Sequence, residues 1–220
     1  MNSKYIFRNI NTNKEKKSFR EFLRHQTNSE YGGYKIDDGS RNHSLQIPEE
    51  LSNLIFFLNN FQKKNIVFKN FLEIGFASGR TNTIFNRFFK FKQIVAIDNF
   101  ARDINTNDLF ANMQRKNLTL LCGNSNSKEI KKNLQKYSPF DLILIDASHE
   151  YKDVMNDISN SINLINSKGV IIMHDIYNNE YPGVEKAWKY LKKSKKFSFK
   201  EIVYKKYYFN CGFGIAIKKN

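Results

Sequence analysis

The chain has 220 residues, 40% of them hydrophobic, which suffices for one packed α/β domain and excludes wholesale disorder. Basic side chains outnumber acidic ones by 36 to 21, giving a net charge of +15, and two cysteines are too few for a disulfide framework or a zinc knuckle. No run approaches the roughly 18 apolar residues of a membrane span, and the opening Met1-Asn2-Ser3-Lys4 leads into no apolar secretion signal, so a cytoplasmic protein is expected.

Residues 1–47 are polar and rich in Asn and Lys, with a weak helical patch around Phe19, Phe22 and Leu23 and a loop holding Gly32, Gly33 and Gly39. They read as a lead segment before a body spanning 48–220. Pro48 opens a helix in which Glu49 and Glu50 favour the N-terminal dipole and Leu51, Leu54, Ile55 and Leu58 form one stripe. Strands are then expected at 68–74, 93–98, 118–122, 140–146 and 169–174, alternating with helical or loop sequence. The run Phe140 to Asp146 is nearly continuous in apolar residues, as a sheet buried on both faces requires. The next helix carries a stripe of Val154, Ile158, Ile162 and Ile165. Another carries Val184, Ala187, Trp188 and Leu191 and continues to 196 with its lysines opposite, Trp188 reading as a core anchor. Two final strands, 199–205 and 211–217, are close enough to pair antiparallel. The sum is a doubly wound α/β fold: a mostly parallel seven-stranded sheet, helices on both faces and a terminal antiparallel pair. Cys122 and Cys211 read as small buried hydrophobes. Between Lys186 and Lys219 stand eleven lysines and one acid, Glu201, which suits a solvated surface or an anionic partner.

The first chemical signal is the stretch from Phe71 to Arg80, after one strand and before a helix. Small residues at Gly75, Ala77 and Gly79 let the backbone turn sharply and approach a ligand, and Glu73 can hold a ligand ammonium or hydroxyl. A tight turn alone needs no ligand. The next strand, however, ends in Asp98, 25 residues after Glu73, where an acid accepts hydrogen bonds from ribose hydroxyls in doubly wound nucleotide folds. A dinucleotide dehydrogenase is disfavoured, because the turn is Gly-x-Ala-x-Gly rather than Gly-x-Gly-x-x-Gly.

The pattern Glu73-x-Gly75-x-Ala77-x-Gly79 followed by Asp98 resembles the cofactor motif of class I S-adenosylmethionine-dependent methyltransferases. Three further stretches, 141–154, 169–175 and 183–188, resemble a bacterial branch of cephalosporin hydroxylase-like proteins and O-methyltransferases acting on sugars and macrolides. The likeness covers about residues 66–217. It implies S-adenosylmethionine as cofactor, with Glu73 and Gly75 at its methionine end, Asp98 at the ribose and Gly123-Asn124-Ser125 along the adenine. Asn124 stands where the family often has an acid, and Ala77 replaces a glycine.

Asp146, His149, His174 and Asp175 gather at the carboxyl ends of two strands expected to be neighbours. In related metal-dependent O-methyltransferases the matching positions of Asp146 and of the His174-Asp175 pair bind a divalent cation. That implies Asp146, His174 and Asp175 as ligands for Mg2+, or for Mn2+ given the imidazole. The alternatives are His149 or His174 as general base without a metal, and simple capping of strand ends. The resemblance implies a small-molecule acceptor, a sugar or natural-product hydroxyl. Residues 1–47 and the 176–182 loop, with Tyr31, Tyr34, Tyr177 and Tyr181, would form its wall. A specific nucleic-acid partner is not expected, since no aromatic RNA-binding motif accompanies the charge. An RNA-binding methylase and a cofactor-binding protein without catalysis remain the alternatives, and homo-oligomerisation is left open.

Overall fold

In the computed structural model, which describes residues 10–36, 38, 43–102, 104–207 and 210–220, the seven expected strands pair in one sheet. They are β1 (Asn70–Ile74), β2 (Gln93–Asp98), β3 (Leu118–Cys122), β4 (Phe140–Ile145), β5 (Ile165–Met173), β6 (Phe197–Ile202) and β7 (Phe213–Lys218), in the order β3-β2-β1-β4-β5-β7-β6. The first five run parallel, and β7 lies antiparallel to both β5 and β6. Gly39 and residues 1–4 lie outside the described residues.

Side chains alternate across a strand, so each strand feeds two cores. Phe71, Leu142, Leu144 and Ile172 face α1 (Asn13–Arg24), α2 (Pro48–Lys64) and α3 (Arg80–Phe88). Leu72, Val95, Ile143 and Ile171 face α5 (Lys128–Tyr137), α6 (Tyr151–Leu164) and α7 (Pro182–Leu191). The remaining helix, α4 (Thr106–Met113), packs by β3. Trp188 is the core anchor its stripe predicts, fully buried with its indole N–H donated to Glu201 at 2.6 Å.

Part of the lead segment is core. Phe19 and Leu23 of α1 are buried against α2, and Thr12 and Glu15 close the helix start with reciprocal bonds of 3.2 and 2.9 Å. The acids at the start of α2 do more than suit its dipole. Glu49 pairs with Arg24, while Glu50 accepts backbone N–H bonds from Tyr204 and Gly212 at 2.8 and 2.9 Å. Burial pushes the Glu50 carboxyl up to about 7.

Three expectations are corrected. Ile165 opens β5 rather than closing a helix, because α6 ends at Leu164. The last lysines of the 186–196 stretch lie beyond α7, which stops at Leu191. Cys122 is exposed, since β3 is the sheet edge, whereas Cys211 is buried.

Candidate active site

Between β1 and β4 the strand order reverses, so the loops after these strands depart to opposite faces and leave a crevice at the carboxyl edge. A cavity of about 680 Å³ occupies it. Gly75, Ala77, Asp98, Asn124, Ser125, Asp146, His149, His174 and Asp175 all line this cavity, so the structure brings together nearly every residue singled out from the sequence.

The floor is the turn after β1. Gly75 has φ +95°, and a Cβ there would sit 1.9 Å from the Asp146 carbonyl oxygen. Its N–H donates to Ile97 at 2.9 Å, and the Asp146 N–H donates to Ile74 at 2.8 Å, so the ends of three strands are locked at van der Waals limits. Asp98 accepts N–H bonds from Phe76 (2.8 Å), Ala77 (2.7 Å) and Phe100 (2.7 Å). It therefore holds the turn while keeping lone-pair capacity for a ligand hydroxyl. Asn124 spends its side-chain oxygen on the N–H of Asn126 at 2.8 Å.

Two positions depart from expectation. Glu73 does not line the cavity: strand alternation turns it to the α3 face, where it is buried and takes a hydrogen bond from Asn82. Burial pushes its carboxyl up to about 8 despite that bond. Gly79 also stays outside the lining and serves as the left-handed N-cap of α3, with φ +76°.

Opposite the turn lies the polar cluster. His174 Nδ1 sits 3.3 Å from both Asp146 and Asp175, and His149 Nε2 lies 3.2 Å from Asp175. Burial alone would lower the His174 pKa, but Asp175 and Asp146 hold it well above the usual imidazole range. The same contact holds Asp175 well below the carboxylate range against the opposing effect of its burial. His174 thus meets two carboxylates from a buried position. Asp146, His149 and Asp175 offer ligand atoms within 4.8 Å of one another, and so do His174, Asp175 and Cys211, so the expected ligands Asp146, His174 and Asp175 fall in two overlapping groups. His149 stacks flat on Tyr181, ring centroids 3.7 Å apart. Asn178 donates to Asp175 at 3.1 Å.

The remaining wall comes from the lead segment: Asn28, Glu30, Tyr31 and residues 43–46. Gln46 donates to Asp146 at 3.1 Å from one hundred positions away in sequence. Sequence reasoning missed Gln46 and His43, which no local pattern marks. Of the four tyrosines, Tyr31 and Tyr181 line the cavity; Tyr34 bonds Glu21 and Tyr177 bonds Glu201 instead.

Comparison with known proteins bears on the domain and the fold. Residues 72–176 match a family model described as a methyltransferase domain. No curated protein matches the sequence at a significant level. Among solved structures, an O-methyltransferase from Bacillus cereus in complex with SAH is 16% identical, with 92% of this chain and 91% of that one covered and a TM-score of 0.63. The O-methyltransferase TomG from Streptomyces achromogenes, involved in tomaymycin synthesis and solved with SAM, is 14% identical over 91% and 90%, with a TM-score of 0.61. The MycE methyltransferase of mycinamycin biosynthesis, solved with Mg and SAH, is 16% identical with a TM-score of 0.60; 92% of this chain covers 55% of that one. Residues 72–176 are thus similar to a methyltransferase domain, and the chain shares its fold along nearly its whole length with solved methyltransferases.

Proposed function

We propose that the protein transfers the S-adenosylmethionine methyl group to a hydroxyl of a small, uncharged polar acceptor such as a sugar or secondary metabolite. The observation that carries this reading is the cluster of Asp146, His149 and Asp175 at the mouth of the cofactor turn, facing a wall of polar groups from the lead segment. Transfer from a sulfonium is an in-line displacement, so positioning supplies most of the rate. The Gly75 turn and Asp98 fix the donor; residues 28–31 and 43–46, with Tyr181, would orient the acceptor. Glu30, Asp98, Asp146, Asp153 and Asp175 line the cavity against Arg80 and Arg102, a balance that disfavours anionic acceptors.

The donor set of two carboxylates and one imidazole fits a divalent cation, and the mixed oxygen and nitrogen ligands suit Mn2+ at least as well as Mg2+. Such an ion would lower the pKa of an acceptor hydroxyl. The Mg in the MycE structure supports this reading. Asn178 would orient Asp175, and Gln46 with His174 would orient Asp146. A second reading rests on the His149–Asp175 contact: the carboxylate orients the ring, and His149 takes the hydroxyl proton. The test is transfer to a panel of neutral hydroxyl compounds with and without chelator. Chelation is expected to abolish turnover while SAH affinity, read by calorimetry, stays unchanged, and Asp175→Asn should lower turnover far more than SAH affinity. Full activity in excess chelator would sink the metal reading. A rate that rises as histidine loses its proton, and collapses in His149→Ala, would then select the base.

A further inference from the structure

Helix α6 presents two carboxylates one turn apart, Asp153 and Asp157, toward the loops that border one end of the cavity. Asp153 Oδ2 accepts the Ser148 hydroxyl at 3.0 Å, and its Oδ1 accepts the Asn126 amide at 3.3 Å. Ser148 belongs to the loop after β4 and Asn126 to the loop after β3, so one side chain ties the two loops together. Asp157 is buried behind it, close to Ser125. Ser125, Asn126, Ser148 and Asp153 all line the cavity. Asn124 is turned back on Asn126, and the Ser148 hydroxyl also accepts the Glu150 N–H at 3.2 Å.

The position of this clamp says what it holds. A nucleoside bound across the strand ends with its ribose at Asp98 has its sulfur side toward the Gly75 turn and Asp146. Its base then extends away from that turn, toward the stretch of cavity lined by Ser125 and Asn126 from one loop and Ser148 from the other. We propose that Asp153, backed by Asp157, is a positioning residue that sets the width of the adenine pocket by clamping the loops after β3 and β4. This inference rests on the cofactor reading above. Burial of Asp157 pushes its carboxyl up to about 6, the mark of an acid kept where a solvated one would be cheaper.

The test is calorimetry of SAH and of adenosine, which lacks the amino-acid end. Asp153→Ala is expected to weaken both by about tenfold, the worth of one or two lost hydrogen bonds. Asn126→Ala made in the Asp153→Ala background should cost less than it does alone, because the two share one contact. A purely structural role would lower the melting temperature without moving adenosine affinity, and that result overturns the proposal. So does SAH binding within twofold of the parent. Should Asp153→Ala fail to fold, Asp153→Asn, which keeps one acceptor oxygen, replaces it; affinity within twofold of the parent there also overturns the clamp. A parent that binds neither compound refutes the cofactor reading instead.

Discussion

A carboxyl group buried at the end of β1 titrates where few carboxyls do, and its pH dependence has a definite sign. Glu73 has an ordinary value of 4.5 and a folded value of about 8, raised by burial. Between these values the unfolded chain has released a proton that the folded protein retains, so folding stability falls as pH climbs from about 4.5 to about 8. Glu73→Gln removes that dependence and keeps a hydrogen-bond acceptor for Asn82. Urea unfolding should therefore find Glu73→Gln more stable than the parent at pH about 8, with the gap shrinking toward pH about 5. Parallel pH profiles would show the carboxyl already ionised. Because Glu73 does not line the cavity, SAH affinity should change little. Asp98 is the contrasting acid. Its three backbone donors make it a fixed anchor facing the ligand, and Asp98→Asn should weaken SAH binding by about ten- to a hundredfold, or 1.5–3 kcal/mol. Unchanged affinity in a folded Asp98→Asn protein would remove it from the ribose. Both acids end strands and look alike in sequence. Only the pleat, which turns one to the helix face and leaves the other at the sheet edge, separates them.

At the scale of elements, the sheet was legible because strands buried on both faces must be largely apolar, as β4 (Asp141 apart) and the end of β5 are. The helices flanking β4 and β5 were legible because each needs one long stripe. α1 was fainter, since only Phe19 and Leu23 of its twelve residues are buried. Its reciprocal Thr12 and Glu15 cap was a readable signal all the same. The stretch from 25 to 47 was not legible in this way. Its described residues are joined by isolated bridges, Thr27 with Ser44 and Asn28 with Lys35, whose partners no periodicity announces. Gln46 and His43 reach the cavity through those bridges, so their place depends on tertiary contacts alone. If α1 is part of the core, Phe19→Ala should destabilise the whole protein by about 3–5 kcal/mol in a single unfolding transition. A loss under about 1 kcal/mol, or a separate early transition, would instead mark α1 as a detachable arm.

For the molecule as a whole, the charge of +15 and the chemistry lie in different places. No lysine lines the cavity among the described residues; its five carboxylates face Arg80, Arg102 and the His174 imidazole, and Arg80 is paired with Asp108 at 2.6 Å. Several of the lysines between 186 and 219 are locally engaged. Lys189 pairs with Glu185, Lys192 pairs with Glu201, and Lys186 lies over the Tyr151 ring. A polyanion drawn to the basic surface would therefore not be guided into the cavity, where its phosphates would meet Asp146 and Asp175. An RNA methylase needs the opposite arrangement, a basic track leading to the acceptor position. RNA binding, followed by fluorescence anisotropy, is thus expected to be weak and indifferent to sequence, and to fall steeply between about 50 and 200 mM salt. SAH binding should persist over the same range, since SAH carries no net charge and its contacts lie in a screened crevice. A sub-micromolar, sequence-selective RNA complex at physiological salt would overturn the small-acceptor reading and move the site's partner onto nucleic acid.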